Sequence, residues 1–465
     1  MNLLSANASA LGYLLAAVCF ILALKGLSSP ASARRGNLIG AAGAVLAVVV
    51  AFLSEDLRHE RAILAAIGVG CVLGVPAARR VAMTQMPQLV ALFNGVGGGA
   101  AALVAGLELV KHSEGGAIAA AAGAFTVLVG CVSFSGSGVT FAKLQELMTT
   151  RPVTFPGGPF VFGGGLLLAV LLAVWIVVQG ADGGSISVLL LLVLAVVALV
   201  VGVLFVLPVG GADVPIVISL LNAFTGLTVA ASGYVLGNTL LLVAGTLVGA
   251  SGTILTRLMA TAMGRSLTST LFGAFRAGPA AAAGTGEERP VRSGSAEDVA
   301  ILLGYARKVV IVPGYGLAVA QAQHTIRELA ELLEARGIEV LYGIHPVAGR
   351  MPGHMNVLLA EANVPYEVLK EMEEVNPELR TADVALVVGA NDVVNPAAKT
   401  TPGAPIYGMP ILEVDQAQQV VFLKRSMRPG FAGIENELLY DPRTMLLFGD
   451  AKASLTAVVS AVKGL

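Results

Sequence analysis

Lys308-Val-Val-Ile-Val-Pro-Gly-Tyr-Gly-Leu-Ala-Val319 sets the fold of the C-terminal third of the chain. The β-branched run 309–312 predicts a short buried strand, and beyond it Ile326, Leu329, Leu332 and Leu333 recur at helical spacing with charges on the other side, predicting a helix over 317–336. Strand, glycine turn and helix in this order give the context that a Gly-rich dinucleotide loop requires. Gly314 would allow the tight turn, Gly316 would let backbone N–H groups approach a pyrophosphate, and the helix N-terminus would add its dipole. Val319 stands where the usual fingerprint wants Gly or Ala, so the helix cannot pack in the standard way.

Outward from this stretch, strands are expected at Val309 to Val312, Glu339 to Gly343, Val384 to Val388, Pro410 to Val414, Val420 to Leu423 and Met445 to Phe448. Their alternation with helical stretches predicts a doubly wound parallel α/β sheet of Rossmann type. An NAD site normally places an acid after the second strand, and here that strand runs into Tyr342-Gly-Ile-His-Pro346 with no carboxylate. Lys424-Arg425-Ser426 follows a later strand and offers two cations and a hydroxyl suited to the dianionic 2′-phosphate of NADP, although a solvated basic strand end would look the same. Arg350 and Asp392 fall in loops at the carboxyl edge, where ligands bind in such sheets. His345 and His354 are expected to be structural.

The rest of the chain belongs to a different solvent. Of 465 residues 56% are hydrophobic and 13% charged, against roughly 45–50% and 25% in soluble domains. Nine apolar stretches near 8–27, 36–53, 61–79, 86–109, 117–142, 160–178, 186–207, 214–235 and 238–262 approach the roughly 20 residues that span a hydrocarbon core. Lys25, Arg34, Arg35, Arg79, Arg80, Lys143 and Arg151 mark alternate loops as cytoplasmic, which puts the N-terminus outside and the chain after Met263 in the cytosol. Arg257, Arg265 and Arg276 agree with that side, and the absence of a basic residue before the first apolar run argues against a cleaved signal peptide. The small, polar, Pro/Gly-rich stretch 277–297 reads as linker, dividing the chain into 1–263, 264–297 and 298–465. A net charge of −1 gives no field for nucleic acid, and Cys19, Cys71 and Cys131, all in apolar runs, build neither a disulfide framework nor a metal site.

Glycine pairs such as Gly245 and Gly249, and the run Gly95 to Gly99, would let helix backbones approach closely in lipid. Polar residues there are expensive and default to functional candidates. Asp213 precedes the eighth span at the cytoplasmic edge, where it could relay a proton or cap the helix; Asn222 lies deeper on that span, placed to line the same path, and Asn94 sits in the fourth.

At this point whole segments resemble the proton-translocating NAD(P) transhydrogenase family. PGYGLAVAQAQ (313–323), GIHPVAGRMPGHMNVLLAEANVPY (343–366), GANDVVNPAA (389–398), YGMPILEV (407–414), KRSMRPGFAG (424–433) and LLFGDAK (446–452) resemble its NADP(H)-binding domain. MTQMPQLVALFNG (83–95), FSGSGVTFAKLQ (134–145) and GGADVPIVISLLNAFTG (210–226) look like the membrane part of its beta subunit, in the same order. The resemblance implies hydride transfer between NADH on a partner and NADP+ bound here, of the Si/Re-specific type, coupled to inward proton movement across the cytoplasmic (inner) membrane. It implies that Gly314, Tyr315, Gly316, Ala318 and Val319 hold the pyrophosphate in a reversed orientation. Lys424, Arg425 and Ser426 would grip the 2′-phosphate. Val347, Ala348, Gly349, Arg350, Met351, Pro352, Gly389, Ala390, Asn391, Asp392, Gly430, Phe431, Gly449 and Asp450 would line the cofactor. Asp213, Asn222, Asn94 and Ser137 would form the proton path. NAD(H) and further membrane helices would come from an alpha-type partner, in a dimer of heteromers set in lipid.

Two positions depart from the family. Asn94 stands where many members have histidine, and all five histidines here (59, 112, 324, 345, 354) lie outside the expected spans, so the partner is expected to supply the missing proton carrier. Phe431 replaces a frequent tyrosine. The rival readings are a transporter with a merely regulatory nucleotide domain, which would more typically carry an acid after strand two and a substrate site in broken helices, and a scaffold with a degenerate nucleotide fold.

Overall fold

A computed structural model describes residues 4–28, 30–54, 59–82, 85–111, 116–149, 152–181, 186–210, 213–263, 289–349, 353–402, 404, 406–430 and 432–465. It divides into two compact units, one carrying the long apolar helices and the other the sheet.

Among the described residues nine helices are long and apolar enough to cross a membrane. They are α1 (Ala6–Gly26), α2 (Pro30–Ser54), α3 (Glu60–Arg80), α4 (Met86–Lys111), α5 (Gly116–Leu144), α6 (Gly158–Ala181), α7 (Val188–Val206), α8 (Val214–Val235) and α9 (Thr239–Ala262). Leucine and valine cover their outer faces, as lipid requires, while small residues line the seams. α5 packs against α4, α6, α7 and α8. A Cβ added to Gly98 would lie 3.1 Å from the backbone oxygen of Gly130, and one on Gly245 would lie 2.6 Å from the backbone oxygen of Gly226. The expected close approach of backbones is therefore real at both glycine-rich sequences. α3 buries no residue.

The second unit is a six-stranded, all-parallel sheet: β1 (Lys308–Pro313), β2 (Glu339–Ile344), β3 (Leu369–Glu371), β4 (Val384–Val388), β5 (Gln419–Lys424) and β6 (Thr444–Phe448), in the order β3-β2-β1-β4-β5-β6. β1 and β4 are central, and their apolar runs are buried almost end to end, as strands covered on both faces must be. One face is covered by α10 (Ala296–Gly304), α12 (Gln323–Glu334), α13 (His354–Glu361) and α16 (Ala451–Gly464), and the other by α14 (Met372–Leu379) and the loops after β4, which carry the short α15 (Ala397–Thr400).

Three local expectations are corrected. The helix foreseen over 317–336 is two, α11 (Tyr315–Val319) and α12, because Gln321 takes a left-handed φ of 50° between them. No strand forms at 410–414: Pro410 has no N–H to donate, and the place beside β4 is filled by β5. The sixth strand is instead β3, three residues long and without a β-branched run. Residues 289–297, read from composition as the end of a linker, lie on the sheet. The Leu446 N–H donates to Arg292 O at 2.8 Å, the Gly294 N–H donates to Leu446 O at 3.0 Å, and Ser295 opens α10 with a capping box.

Candidate functional site

Loops leave one edge of the sheet at the carboxyl ends of β1, β2, β4, β5 and β6. β1 and β4 are neighbours whose continuations part to either side, the switch point at which open parallel sheets take ligands. The two loops there touch backbone to backbone. The Gly314 N–H donates to Val388 O and the Gly316 N–H to Gly389 O, each at 2.9 Å. A Cβ on Gly316 would lie 2.7 Å from Gly389 Cα, and Gly389 itself has φ +70°. The physical reason for these glycines therefore differs from the expected one. Gly314 opens the turn, its carbonyl accepting from the Leu317 N–H at 3.0 Å, but in an extended conformation (φ −133°, ψ −175°) that any residue adopts, and the Gly316 amide is already used inside the protein.

Of the other residues expected around the cofactor, Ala318, Ala348 and Ala390 are buried in core clusters, and Val347 packs against the cluster containing Met409 and Ile411. The three alanines can offer a ligand only their backbones, while Val347 is half-buried. Tyr315 is half-buried with its ring 6.3 Å from that of His354, and Val319 is exposed. Gly349, at φ +105°, backs onto His354. Arg350, Met351, Pro352 and Phe431 lie outside the described residues.

His345 has a structural role. Its Nδ1 accepts from the Val347 N–H at 3.2 Å and Nε2 lies 2.8 Å from Pro410 O, which fixes the proton on Nε2. Burial holds its pKa below the usual histidine value, with the bond to Pro410 opposing.

Past β4 and β5 the polar residues interlock. Asp392 Oδ2 accepts from the Ala432 N–H at 2.8 Å and Oδ1 from Asn391 Nδ2 at 3.0 Å, while Lys424 Nζ donates to Asn391 Oδ1 at 2.9 Å. Burial lowers the Lys424 pKa, and the Asp392 charge works against that shift. A Cβ on Gly430 would meet Asn391 Nδ2 at 2.5 Å. Residues 425–430 and 432–436 thus form a strap over the β4 loop. Two further residues that the sequence alone did not single out hold it: Asn395 Nδ2 donates to Glu435 O at 2.9 Å and Asn436 Nδ2 to Asn391 O at 3.2 Å, both from almost fully buried side chains. Arg425 and Ser426 are exposed, and Arg425 Nη2 lies 3.8 Å from Asp450 Oδ2. Asp450 caps α16 by accepting from the N–H groups of Lys452 and Ala453, and the Gly449 N–H donates to Lys424 O at 3.1 Å.

In the helix unit the structure brings Asn94 and Ser137 together. Asn94 Nδ2 donates to Ser137 Oγ at 2.9 Å and to Ser133 Oγ at 3.3 Å; Ser133 in turn bonds Leu221 O and lies 2.6 Å from Thr225 Oγ1. This joins α4, α5 and α8. Asn94 Oδ1 is buried without a hydrogen-bond partner among the described residues, as is Gln88 Oε1. Asp213 is buried at the start of α8 and its side chain makes no capping hydrogen bond. Asn222 is half-buried nine positions on; at about 100° per residue that is half a turn round, so it does not share the face of Asp213. Lys143, read from sequence only as a mark of orientation, is fully buried and caps the C-terminus of α7, donating to Val206 O, Leu207 O and Val209 O at 3.2, 2.6 and 2.7 Å.

Residues 9–461 match the family model for the NAD(P) transhydrogenase beta subunit. NAD(P) transhydrogenase subunit beta of Rhodospirillum rubrum is 49% identical over 460 residues, covering 97% of this chain and 98% of that protein, and the counterpart from strain ATCC 11170 matches equally. Nine membrane-length helices among the described residues, a six-stranded parallel sheet with its loops gathered at a switch point, and this match over nearly the whole length agree: the chain belongs to the NAD(P) transhydrogenase beta subunit family.

Proposed function

We propose that the chain binds NADP(H) at the carboxyl edge of its sheet, exchanges hydride with NAD(H) held by an alpha-type partner subunit, and couples that exchange to inward proton movement through the helix unit. The observation that carries the cofactor half is the pairing of two features at one sheet edge. β2 is followed by a buried, backbone-bonded His345 with no carboxylate, and β5 ends in Lys424 with Arg425 next. The first removes the usual partner of an NAD ribose, and the second supplies charge for a 2′-phosphate. The residues fit the group. Lys424 and Arg425 are now turned to Asn391 and Asp450, contacts that a dianion can replace, and the backbone about 314–319 and 389–392 walls the crevice. Bound NADP+ accepts a hydride and NADPH donates one. The protein's own residues hold and orient the nucleotide and exclude water.

In the helix unit, Asn94, Ser133, Ser137 and Thr225 form the polar seam, with Asp213 buried at the end of α8. The orphaned Asn94 Oδ1 fits a donor on a helix of the partner, which would stand in for the family histidine, and α3, which buries nothing within the chain, offers membrane-facing surface for such helices. The flanking arginines and lysines support a sheet unit in the cytosol and an N-terminus outside. The boundaries 1–263 and 298–465 divide the two roles, with 289–297 docked on the second.

The test is a fluorescence titration of the full chain in detergent with NADPH and NADH at fixed salt. NADPH should bind far more tightly. Lys424→Ala with Arg425→Ala should weaken NADPH by about 100-fold, the value of two charge-assisted contacts, and leave NADH unchanged. Equal binding of the two nucleotides would overturn the assignment.

A further inference from the structure

Arg289 stands where the chain joins the sheet unit, just ahead of the residues that pair with Leu446, and three groups hold it at once. Nη1 donates to Glu437 Oε2 at 2.7 Å, Nη2 donates to Glu437 Oε1 and to Glu435 Oε2 at 3.2 Å each, and the guanidinium carbon lies 4.1 Å from the centroid of the Tyr440 ring. Glu435 and Glu437 flank Asn436. That asparagine is the buried residue whose amide donates to Asn391 O, and Asn391 in turn meets Lys424 and Asp392. One unbroken series of contacts therefore runs from Arg289, through the end of the strap, to the floor of the nucleotide crevice.

A single exposed ion pair would carry little. Here a planar fork takes one carboxylate through both oxygens, reaches a second, and lies against an aromatic ring, an arrangement that a lysine cannot copy. It selects one position of the strap, because both glutamates must be presented together with Asn436 turned inward between them.

We propose that Arg289 is a positioning residue for the nucleotide strap: by gripping Glu435 and Glu437 on either side of Asn436 it keeps the strap closed over Asn391 and Asp392, and so slows escape of NADP(H). This rests on the NADP(H) reading above. Arg289 touches no reacting atom; it acts through Asn436.

The experiment uses the full chain assembled with its alpha partner. NADPH release is followed by stopped-flow fluorescence on chasing with excess NADP+. Arg289→Ala should release NADPH about five- to tenfold faster than the wild type, and Arg289→Lys should fall between the two. Glu437→Gln should also accelerate release, with the double variant no faster than Arg289→Ala alone, because both changes open the same latch. The ratio of variant to wild-type rates should shrink as salt rises, since screening weakens the latch only where it exists. A purely structural loss would leave that ratio independent of salt. Wild-type release rates in Arg289→Ala, or a double variant in which the two effects add, would overturn the proposal. Failure of the wild type to bind NADPH at all would instead overturn the cofactor assignment.

Discussion

Two polar clusters, one in each unit, are met differently. At the edge of the sheet the buried His345 is closed onto protein through both ring nitrogens, and the half-buried Asp392 and Asn391 are closed too, the first through both oxygens and the second through its side-chain oxygen, its amide and its backbone carbonyl. In the helix unit Asn94 and Gln88 give their amide hydrogens to neighbours and keep a buried oxygen without a partner among the described residues. An unmet buried acceptor costs on the order of 1–3 kcal/mol, and lipid offers no water to relieve it. The difference teaches how each half works. On the proposed reading, a nucleotide site gains from a fixed shape, with its polar groups met before the ligand arrives, whereas a path for protons or for a partner's donor needs acceptors left open.

The comparison breaks most readily at Gly389. Alanine there would have to keep φ +70° while its Cβ met the backbone of Gly316 and Leu317. Gly389→Ala should destabilise the sheet unit by about 3 kcal/mol, left-handed strain and overpacking together, and abolish NADPH binding. Thermal unfolding and a fluorescence titration would show both, and wild-type values would mean the β1 and β4 loops are not held backbone to backbone.

Lys143 sharpens the contrast from within the membrane, because it is a buried cation whose three donors all find carbonyls. Lys143→Met fits the volume but leaves the end of α7 uncapped. It should lower the thermal stability of the helix unit by about 2 kcal/mol, with NADPH affinity unchanged and partial recovery in Lys143→Arg. An equal loss of NADPH binding would show that the two units do not respond separately.

Much of the architecture was legible because its signals are long. Twenty-residue apolar runs and the alternation of valine-rich strands with helices depend on many residues each, so local errors do not move them. What failed was short and tertiary. β3 has three residues and forms because β2 offers an edge, while 410–414 looks like a strand but loses its place to β5. At the site, residue types were legible and their reasons were not. Gly314 and Gly316 were visible as glycines, but that they face Gly389 and Ala390 is a fact about a loop over seventy residues away. Asn395 and Asn436 carry no periodicity at all. Lys143 was visible as a charge, and only the end of α7 explains it.

Asn94→Leu tests the open acceptor directly. Removing the amide while keeping bulk should leave stability within about 1 kcal/mol of wild type, since an orphaned oxygen goes with the bonds. Proton-coupled turnover in membranes reconstituted with the alpha partner should fall about tenfold, the effect of one transition-state contact, at unchanged NADPH affinity. Full turnover would mean that the orphan is a packing accident and that the contrast between the units is only about stability.

The smallest effect probes the closed side, at His345. Its folded-state pKa is lowered, so between that value and the unfolded pKa of about 6.5 the unfolded chain binds a proton that the folded chain refuses. Stability should therefore be full above about pH 6.5 and decline as pH falls through that window, by less than about 1.4 kcal/mol per pH unit. His345→Gln keeps a donor for Pro410 O and cannot titrate, so its thermal midpoint should change less between pH 7.5 and 5.5 than that of the wild type. Parallel changes in the two proteins would place the acid sensitivity on other groups, and the imidazole would then be closed onto the backbone for geometry alone.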